Sequence, residues 1–134
     1  MPEPLLGAAQ RARLALRVWG TYALVRLVEW RRPLPRVTGR LARAPRRRPA
    51  PYPPARLSRA VDRCLWPVGR PPRCLFTSLT LFRLLHAQGE PAVLVIGLGS
   101  LPTDERAHAW VELSGIDIGP APGRGDHQPL ARYR

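Results

Sequence analysis

Cys74 and His108 are the two residues of this chain whose types and order could support nucleophilic catalysis. A cysteine thiolate attacks a carbonyl carbon, while an imidazole takes up the thiol proton and later delivers it to the leaving amine. Each residue also has an ordinary interpretation, since buried unreactive cysteines and histidines on strand surfaces are common in proteins. Whether the pair can act therefore depends on the elements that position the two side chains.

Cys74 lies in the first turn of a predicted helix that extends from Arg73 to Gly89, with the sequence RCLFTSLTLFRLLHAQG. Apolar residues recur in it at helical spacing, and Gly89 is a residue that typically ends a helix. Pro71 and Pro72 prevent an upstream helix from continuing into it. A thiol in the first turn lies beside unpaired backbone N–H groups at the positive end of the helix dipole, which favours the nucleophilic thiolate.

His108 belongs to a predicted strand, Arg106 to Leu113, with the sequence RAHAWVEL. Strand alternation places His108, Trp110 and Glu112 on one face and the intervening apolar residues on the other. Another strand pattern, PAVLVIGLG, lies between the helix and this strand. The order of a cysteine at a helix start, a core strand and a histidine on the next strand resembles that of papain-like and transglutaminase-like enzymes.

Three motifs in this order, RCLFTSL, HAQGEPAVLVIGLG and AHAWVEL, carry a more specific resemblance. They resemble the lasso-peptide maturation peptidases, the microcin-processing branch of the transglutaminase-like superfamily, over about residues 56 to 134. The resemblance implies a cysteine peptidase that removes the leader from a ribosomally made precursor peptide, with Cys74 as nucleophile and His108 as general base. It also implies that Ser78 and Trp110 line or support the site. The implied partners are the precursor peptide, a small leader-binding protein and an ATP-dependent lasso cyclase.

The resemblance further implies an acid on the strand after the histidine, where it would orient the imidazole, and Asp117 is the nearest candidate. If Ser114 and Gly115 form a two-residue turn, Glu112 faces Asp117. Asp117 would then share the face of His108 but lie two residue pairs away, too far for a direct hydrogen bond. A bulge or a wider loop would change this register. Asp126 is the second candidate, and a plain surface charge is the other interpretation of Asp117.

The size and composition of the chain predict a single small domain with an α+β fold. The 134 residues, 45% of them hydrophobic, allow one modest core. We expect helices first and a small antiparallel sheet after them, and the resemblance implies a transglutaminase-like or papain-like core. The predicted division is an amphipathic helix over residues 1–30, a linker rich in proline and arginine over residues 31–54, and the catalytic domain over residues 55–134.

Arginine is distributed unevenly along the chain. Residues 1 to 60 hold 14 arginines and two acids, whereas residues 61 to 134 hold eight arginines and seven acids, so the N-terminal part carries most of the net charge of +13. The absence of lysine and the 17 prolines are typical of GC-rich bacterial genomes, in which arginine can accumulate without selection for nucleic-acid binding. No recognisable nucleic-acid-binding motif accompanies the arginines, so no specific nucleic-acid partner is expected.

The N-terminal segment, Pro4 to Trp30, is predicted to be a long helix interrupted by arginines. Its uncharged runs are far shorter than the ~20 residues that span a bilayer, and it lacks the pattern of a secretory signal, so a cytoplasmic location is expected. The helix either packs on the core of its own domain or docks on a partner or an anionic membrane surface. A weak membrane contact through residues 1–30 is therefore left open.

No cofactor or metal is expected, because His86, His108 and His127 belong to different elements and no Cys-x-x-Cys spacing is present. His86, near the end of its helix, is interpreted as a favourable charge at the negative end of the dipole. Cys64 is interpreted as a small core residue, on a predicted helix from Ala55 to Leu65. Two alternatives to the peptidase remain: a catalytically inactive transglutaminase-fold binding module, and a basic amphipathic adaptor that acts through residues 1–54.

Overall fold

The computed structural model describes residues 5–29, 32–43, 52–65, 73–99, 107–120 and 123–134. In these residues, four helices precede a four-stranded antiparallel sheet with the strand order β3-β2-β1-β4. The predicted α+β fold class is therefore confirmed. The elements are α1 (Ala8–Glu29), α2 (Leu34–Ala42), α3 (Pro54–Leu65), α4 (Arg73–Ala87), β1 (Val93–Gly99), β2 (Ala107–Leu113), β3 (Ile116–Gly119) and β4 (His127–Tyr133).

The four helices and one face of the sheet enclose a shared hydrophobic core. From α1, Leu14, Val18 and Val25 are buried in this core, which confirms the interpretation of α1 as a helix packed on its own domain. The guanidinium of Arg26 also lies 4.3 Å from the ring centroid of Phe76 on α4, a cation–π contact between the two helices. The other buried members come from the remaining helices and the sheet: Val37, Leu41, Leu57, Val61, Leu65, Leu79, Leu81, Phe82, Leu84, Leu85, Ala92, Leu94, Ala109 and Val111.

Helix α2 corrects the prediction of a linker over residues 31–54. Its sequence LPRVTGRLA places Val37 and Leu41 on one helical face, where both are buried in the core, and prolines are tolerated at its first turn. The carbonyl of Leu41 accepts a hydrogen bond from Arg83 Nη1 on α4 at 3.4 Å. The linker prediction is thus wrong for residues 34–42, because the density of proline and arginine concealed a short amphipathic pattern. Residues 44–51 of that segment lie outside the described residues.

Helix α4 ends at the predicted glycine. Gly89 has a φ of 82°, its N–H donates to the carbonyl of His86, and the N–H of Glu90 donates to the carbonyl of Leu85. These two bonds form a Schellman motif, which requires a residue that tolerates the left-handed conformation. Gly89 therefore fixes where the chain leaves α4 to enter β1.

His86 differs from the charged residue that its position suggested. Its Nε2–H donates to the carbonyl of Ala92 at 2.9 Å, and its ring lies 4.3 Å from the ring of Phe82. Burial lowers the pKa of His86, and the opposing effect of the Ala92 carbonyl is smaller. At neutral pH His86 therefore carries less positive charge than a free histidine, which disagrees with the expectation of a favourable charge at the helix end.

The lowered pKa of His86 predicts that the protein loses stability in mild acid. Below the ordinary histidine pKa of about 6.5 the unfolded chain takes up a proton that the folded chain does not, so the free energy of unfolding falls until the folded-state pKa is passed. Thermal unfolding at pH 7.5 and 5.5 should show a smaller acid-induced loss in His86→Gln, which keeps a donor for Ala92. An identical loss in both proteins would contradict the prediction.

Strand β2 divides its side chains between two environments, as its alternation predicted. Ala109 and Val111 join the core formed with the helices, whereas Trp110 and Glu112 are buried on the opposite face. Glu112 forms an ion pair across β1 with Arg132 of β4. The second face therefore has its own buried cluster.

Candidate functional site

The second turn of α4, which contains Ser78, lies beside β2 at the point where β3 ends. Strand β3 pairs with β2 from Leu113 only as far as Val111, which faces Gly119. In an antiparallel ladder alternate residues point their carbonyls to the same side, so the carbonyl of Ala109 points beyond the end of β3. There it accepts a hydrogen bond from the buried hydroxyl of Ser78 at 3.0 Å. Among the described residues, a side chain of α4 thus takes the place of a strand partner for Ala109.

This contact sets the position of the Cys74 turn relative to the strand that carries His108. Cys74 and Ser78 are four residues apart, on the same face of α4 and separated by ~6 Å along its axis. Ala109, the partner of Ser78, is the neighbour of His108 in β2. The thiol of Cys74 is half-buried, and among the described residues no hydrogen bond links it to His108.

The imidazole of His108 is held by a backbone carbonyl and by aromatic rings. Its Nε2–H donates to the carbonyl oxygen of Gly123 at 2.6 Å. The ring of His127 lies 4.5 Å from it in a tilted arrangement, and the ring of Trp110 lies 6.1 Å away. Because Nε2 carries the hydrogen, Nδ1 carries the lone pair and is the nitrogen able to take up a thiol proton.

Asp117 bonds to the backbone beside Gly123. Strand β3 follows the predicted two-residue turn with Glu112 opposite Asp117, and the bulge comes after this pair, so it does not carry Asp117 towards His108. The Asp117 Oδ1 accepts the N–H of Gly119 at 2.9 Å, and Oδ2 accepts the N–H of Arg124 at 2.7 Å. The second candidate acid, Asp126, is exposed in the turn before β4.

Sequence reasoning missed the part played by Gly123, His127 and strand β4. His127 begins β4, opposite Gly99, and its Nδ1–H donates to the carbonyl of Arg124 at 2.8 Å. The alternation of HQPLARY after the GRGD turn is the signal that could have predicted β4. Pro129 weakens that signal, although an edge strand tolerates proline.

Comparison with known families agrees with this arrangement of helix and sheet. A family model described as the transglutaminase-like superfamily matches residues 18–132. The chain belongs to the transglutaminase-like superfamily. This superfamily includes cysteine peptidases, and its match begins within α1, before the region on which the motifs were recognised. Neither a curated protein nor a solved structure matches the chain.

Trp110 covers the middle of β1 in this transglutaminase-like domain. It is fully buried, and its ring lies over Gly97, where an added Cβ would come within 2.7 Å of the indole. The Trp110 Nε1–H has no hydrogen-bond partner in the described part of the chain. Gly97 therefore provides the space that allows the indole to pack beside His108.

Cys64 and Cys74 are both free thiols in different surroundings. Burial raises the pKa of the Cys64 thiol, and the nearby charge of Arg63 opposes this with a smaller effect. A higher thiol pKa means less thiolate at neutral pH and lower reactivity. Cys64 is half-buried and packs against the core without being one of its buried members, so its interpretation as a core residue is met only in part. It is a natural internal control for Cys74.

A groove of about 790 Å³ between α1 and α3 combines apolar and basic side chains. Its lining includes Leu5, Leu14, Arg11, Arg63 and the thiol-bearing residue Cys64.

Within the described ranges, no helix is long and apolar enough to cross a bilayer, and no cluster of three or more metal-ligand residues occurs.

The hydrogen bond from Ser78 should be important for stability because both partners are buried. Ser78→Ala leaves the Ala109 carbonyl without its partner, so the free energy of unfolding should fall by about 1–3 kcal/mol. Thr80→Val is the matched control, since it removes a buried hydroxyl without removing the branched shape of the side chain, and the Thr80 hydroxyl bonds within its own helix, to Phe76. Urea denaturation should show the larger loss for Ser78→Ala, and equal losses would argue against the docking role.

Proposed function

We propose that this protein is a cysteine peptidase that removes the leader from a ribosomally synthesised precursor peptide during lasso-peptide maturation. Membership of a superfamily that includes cysteine peptidases supports the reaction class. The observation that supports the proposal is the hydrogen bond from Ser78 to Ala109, because Ser78 lies one helical turn after Cys74 and Ala109 is the neighbour of His108 in β2. The three motifs that resemble lasso-peptide maturation peptidases support the substrate class.

In the proposed reaction the Cys74 thiolate attacks the carbonyl carbon of the scissile peptide bond and forms a sulfur–carbon bond. The carbon–nitrogen bond then breaks, and the imidazolium of His108 gives its proton to the leaving amine of the core peptide. Water next attacks the thioester while His108 accepts a proton from it. The carbon–sulfur bond breaks, and the leader departs with a new carboxylate.

The proposed pathway includes a small leader-binding protein that presents the precursor and a cyclase that consumes the released core peptide. The exposed apolar residues of α1 are compatible with contact to such a protein, since Leu16 and Leu27 are 72% and 79% exposed. These apolar side chains alternate with arginines, so the same surface could contact an anionic membrane. Copurification of the chain with the leader-binding protein, compared with Leu16→Ser/Leu27→Ser, would test this part of the proposal.

The peptidase is tested most simply by incubation with a library of synthetic linear peptides, followed by mass spectrometry of products and of the acid-quenched protein. We expect cleaved peptides and a transient adduct on Cys74 whose mass equals an N-terminal fragment joined as a thioester. Peptides that bind without cleavage, and a protein that never carries an adduct, would overturn the proposal.

Binding of peptides without cleavage and without an adduct would favour the inactive binding module. The structure offers one specific observation for this alternative. Among the described residues, no hydrogen bond joins the imidazole of His108 to the thiol of Cys74. The adaptor alternative is less well supported, because Val18, Val25 and Leu41 of the N-terminal segment are buried in the domain core. These apolar side chains are not available to a partner.

A further inference from the structure

The atom that orients His108 belongs to the main chain. The carbonyl oxygen of Gly123 accepts the Nε2–H of His108 at 2.6 Å, in the place where the resemblance implied a carboxylate. Asp117, the predicted acid, bonds instead to the backbone N–H of Arg124, the residue that follows Gly123. The acid and the histidine are therefore connected through a single peptide unit, the one that joins Gly123 to Arg124.

We propose that the third member of the site is the Gly123 carbonyl, and that Asp117 is a positioning residue that holds this carbonyl against His108. This inference rests on the proposed peptidase function for its catalytic meaning. Its structural content, the hydrogen-bonding state of one imidazole, stands independently of that function.

A carbonyl can perform the orienting task of an acid but not its electrostatic task. It accepts the Nε2–H and so fixes the tautomer that leaves Nδ1 free to receive a thiol proton. It carries no formal charge, however, and stabilises an imidazolium less than a carboxylate does. The hydrogen bond is thus sufficient to orient His108, while the carboxylate of Asp117 acts on the loop.

Asp117 holds the loop through both carboxylate oxygens. Oδ1 accepts the N–H of Gly119 and Oδ2 accepts the N–H of Arg124, so one side chain connects the two ends of the segment 119–124. Hydrogen bonds to an ionised acceptor are about twice as strong as neutral ones. This arrangement restrains the peptide unit that joins Gly123 to Arg124, which contains the carbonyl in contact with His108.

Gly123 is adapted to this position. Its φ is +70°, and an added Cβ would come within 2.5 Å of Asp117 Oδ2. A side chain there would be strained and would also displace the carboxylate. His127 restrains the same loop from β4, since its Nδ1–H bonds to the carbonyl of Arg124 while its ring contacts the ring of His108.

The test is the tautomer of His108, measured by long-range proton–nitrogen NMR of the imidazole at pH 7.5 in the full-length protein. We expect the Nε2–H form in the wild type. Asp117→Asn should produce a mixture of tautomers, because the amide replaces one acceptor with a donor that faces an N–H group. Gly123→Ala should do so at least as strongly. Asp126→Asn, the matched change in the same loop, should leave the wild-type spectrum.

Several outcomes would overturn the proposal. An Nδ1–H tautomer in the wild type would show that His108 does not donate a hydrogen bond to Gly123 through Nε2. An unchanged tautomer in Asp117→Asn would show that Asp117 does not position the Gly123 carbonyl. A change in Asp126→Asn alone would transfer that role to Asp126. If Gly123→Ala fails to fold, as judged by loss of spectral dispersion, the two aspartate variants still decide between these outcomes.

Cleavage rates then connect the tautomer to the reaction. If Asp117 is a positioning residue, Asp117→Asn should lower kcat about tenfold and leave KM little altered. Loss of the buried triad aspartate of a serine protease costs about 10⁴-fold, and a loss of that size here would indicate direct contact with His108 in the working enzyme. If the wild type cleaves no peptide, the proposed function fails, while the tautomer measurement still tests the hydrogen bond.

Discussion

Peptide cleavage by Cys74→Ala is expected to fall to background, a loss on the order of 10⁴-fold or more in kcat. Removing the nucleophile of a covalent hydrolase leaves only the catalysis that comes from binding and from electrostatic stabilisation of the transition state. The hydroxyl of Thr77 donates a hydrogen bond to the main-chain carbonyl of Cys74. This bond does not use the Cys74 side chain, so the variant keeps it. The fold should therefore remain, as the circular dichroism spectrum and the thermal midpoint will show.

Cys64→Ala is the matched control for this loss. Both cysteines lie on helices and are half-buried, but burial raises the pKa of the Cys64 thiol and lowers its thiolate content. We expect cleavage by Cys64→Ala to stay within about twofold of the wild type, since a partly buried cysteine contributes mainly packing. Cleavage that persists in Cys74→Ala and disappears in Cys64→Ala would contradict the assignment of the nucleophile.

Gly97→Ala should lower the free energy of unfolding by about 2–3 kcal/mol, the upper part of the range for overpacking a core. The added Cβ would lie 2.6 Å from the backbone carbonyl of Gln128 on β4 and 2.7 Å from the indole of Trp110. The backbone carbonyl of Gln128 cannot move aside as easily as the end of a flexible side chain can. Strand β4 or Trp110 must therefore shift, and the rings beside His108 shift with them.

The matched control for Gly97→Ala is Gly20→Ala in α1. A Cβ at Gly20 would meet nothing within 4 Å, and alanine is the better helix former, so this variant should gain about 0.5–1 kcal/mol. Urea denaturation should therefore show a lower free energy of unfolding for Gly97→Ala and a higher one for Gly20→Ala. Equal changes in both would show that the space over Gly97 is not required for the packing of Trp110.

The sequence predicted the elements whose signals are local. Helical spacing and Gly89 located α4, alternation located β2, and the turn at Ser114 and Gly115 fixed the register of the hairpin. Helix α2 was missed because proline and arginine dominate its composition, although Val37 and Leu41 are at helical spacing. Its stability comes from burial against α4, a tertiary effect that local propensity does not contain.

The candidate site was predictable in its side chains and not in its backbone contacts. The motifs named Cys74 and His108, whose roles as nucleophile and base stay predictions. The bond from His108 to Gly123 leaves no trace in residue type, because any residue offers a carbonyl. Asp117 was recognised as a candidate acid, but its attachment to the N–H of Arg124 depends on the path of the loop.

The N-terminal helices change how the site can be tested. Leu14, Val18 and Val37 of α1 and α2 are buried with residues of α4 and the sheet. Deletion of residues 1–54 would remove part of the core, so lost activity in such a truncated chain would not distinguish an adaptor from a peptidase. Point substitutions in the full chain make that distinction.

The most direct test of the central claim is the alkylation rate of Cys74 with iodoacetamide at pH 6.5, in a Cys64→Ser background with His108 intact or changed to alanine. A free thiol, with a pKa of about 8.5, is only about 1% thiolate at this pH and reacts slowly. We predict that Cys74 reacts at least about tenfold faster than free cysteine and that His108→Ala removes this advantage. A rate equal to that of free cysteine and unaffected by His108→Ala would contradict a thiolate–imidazole pair.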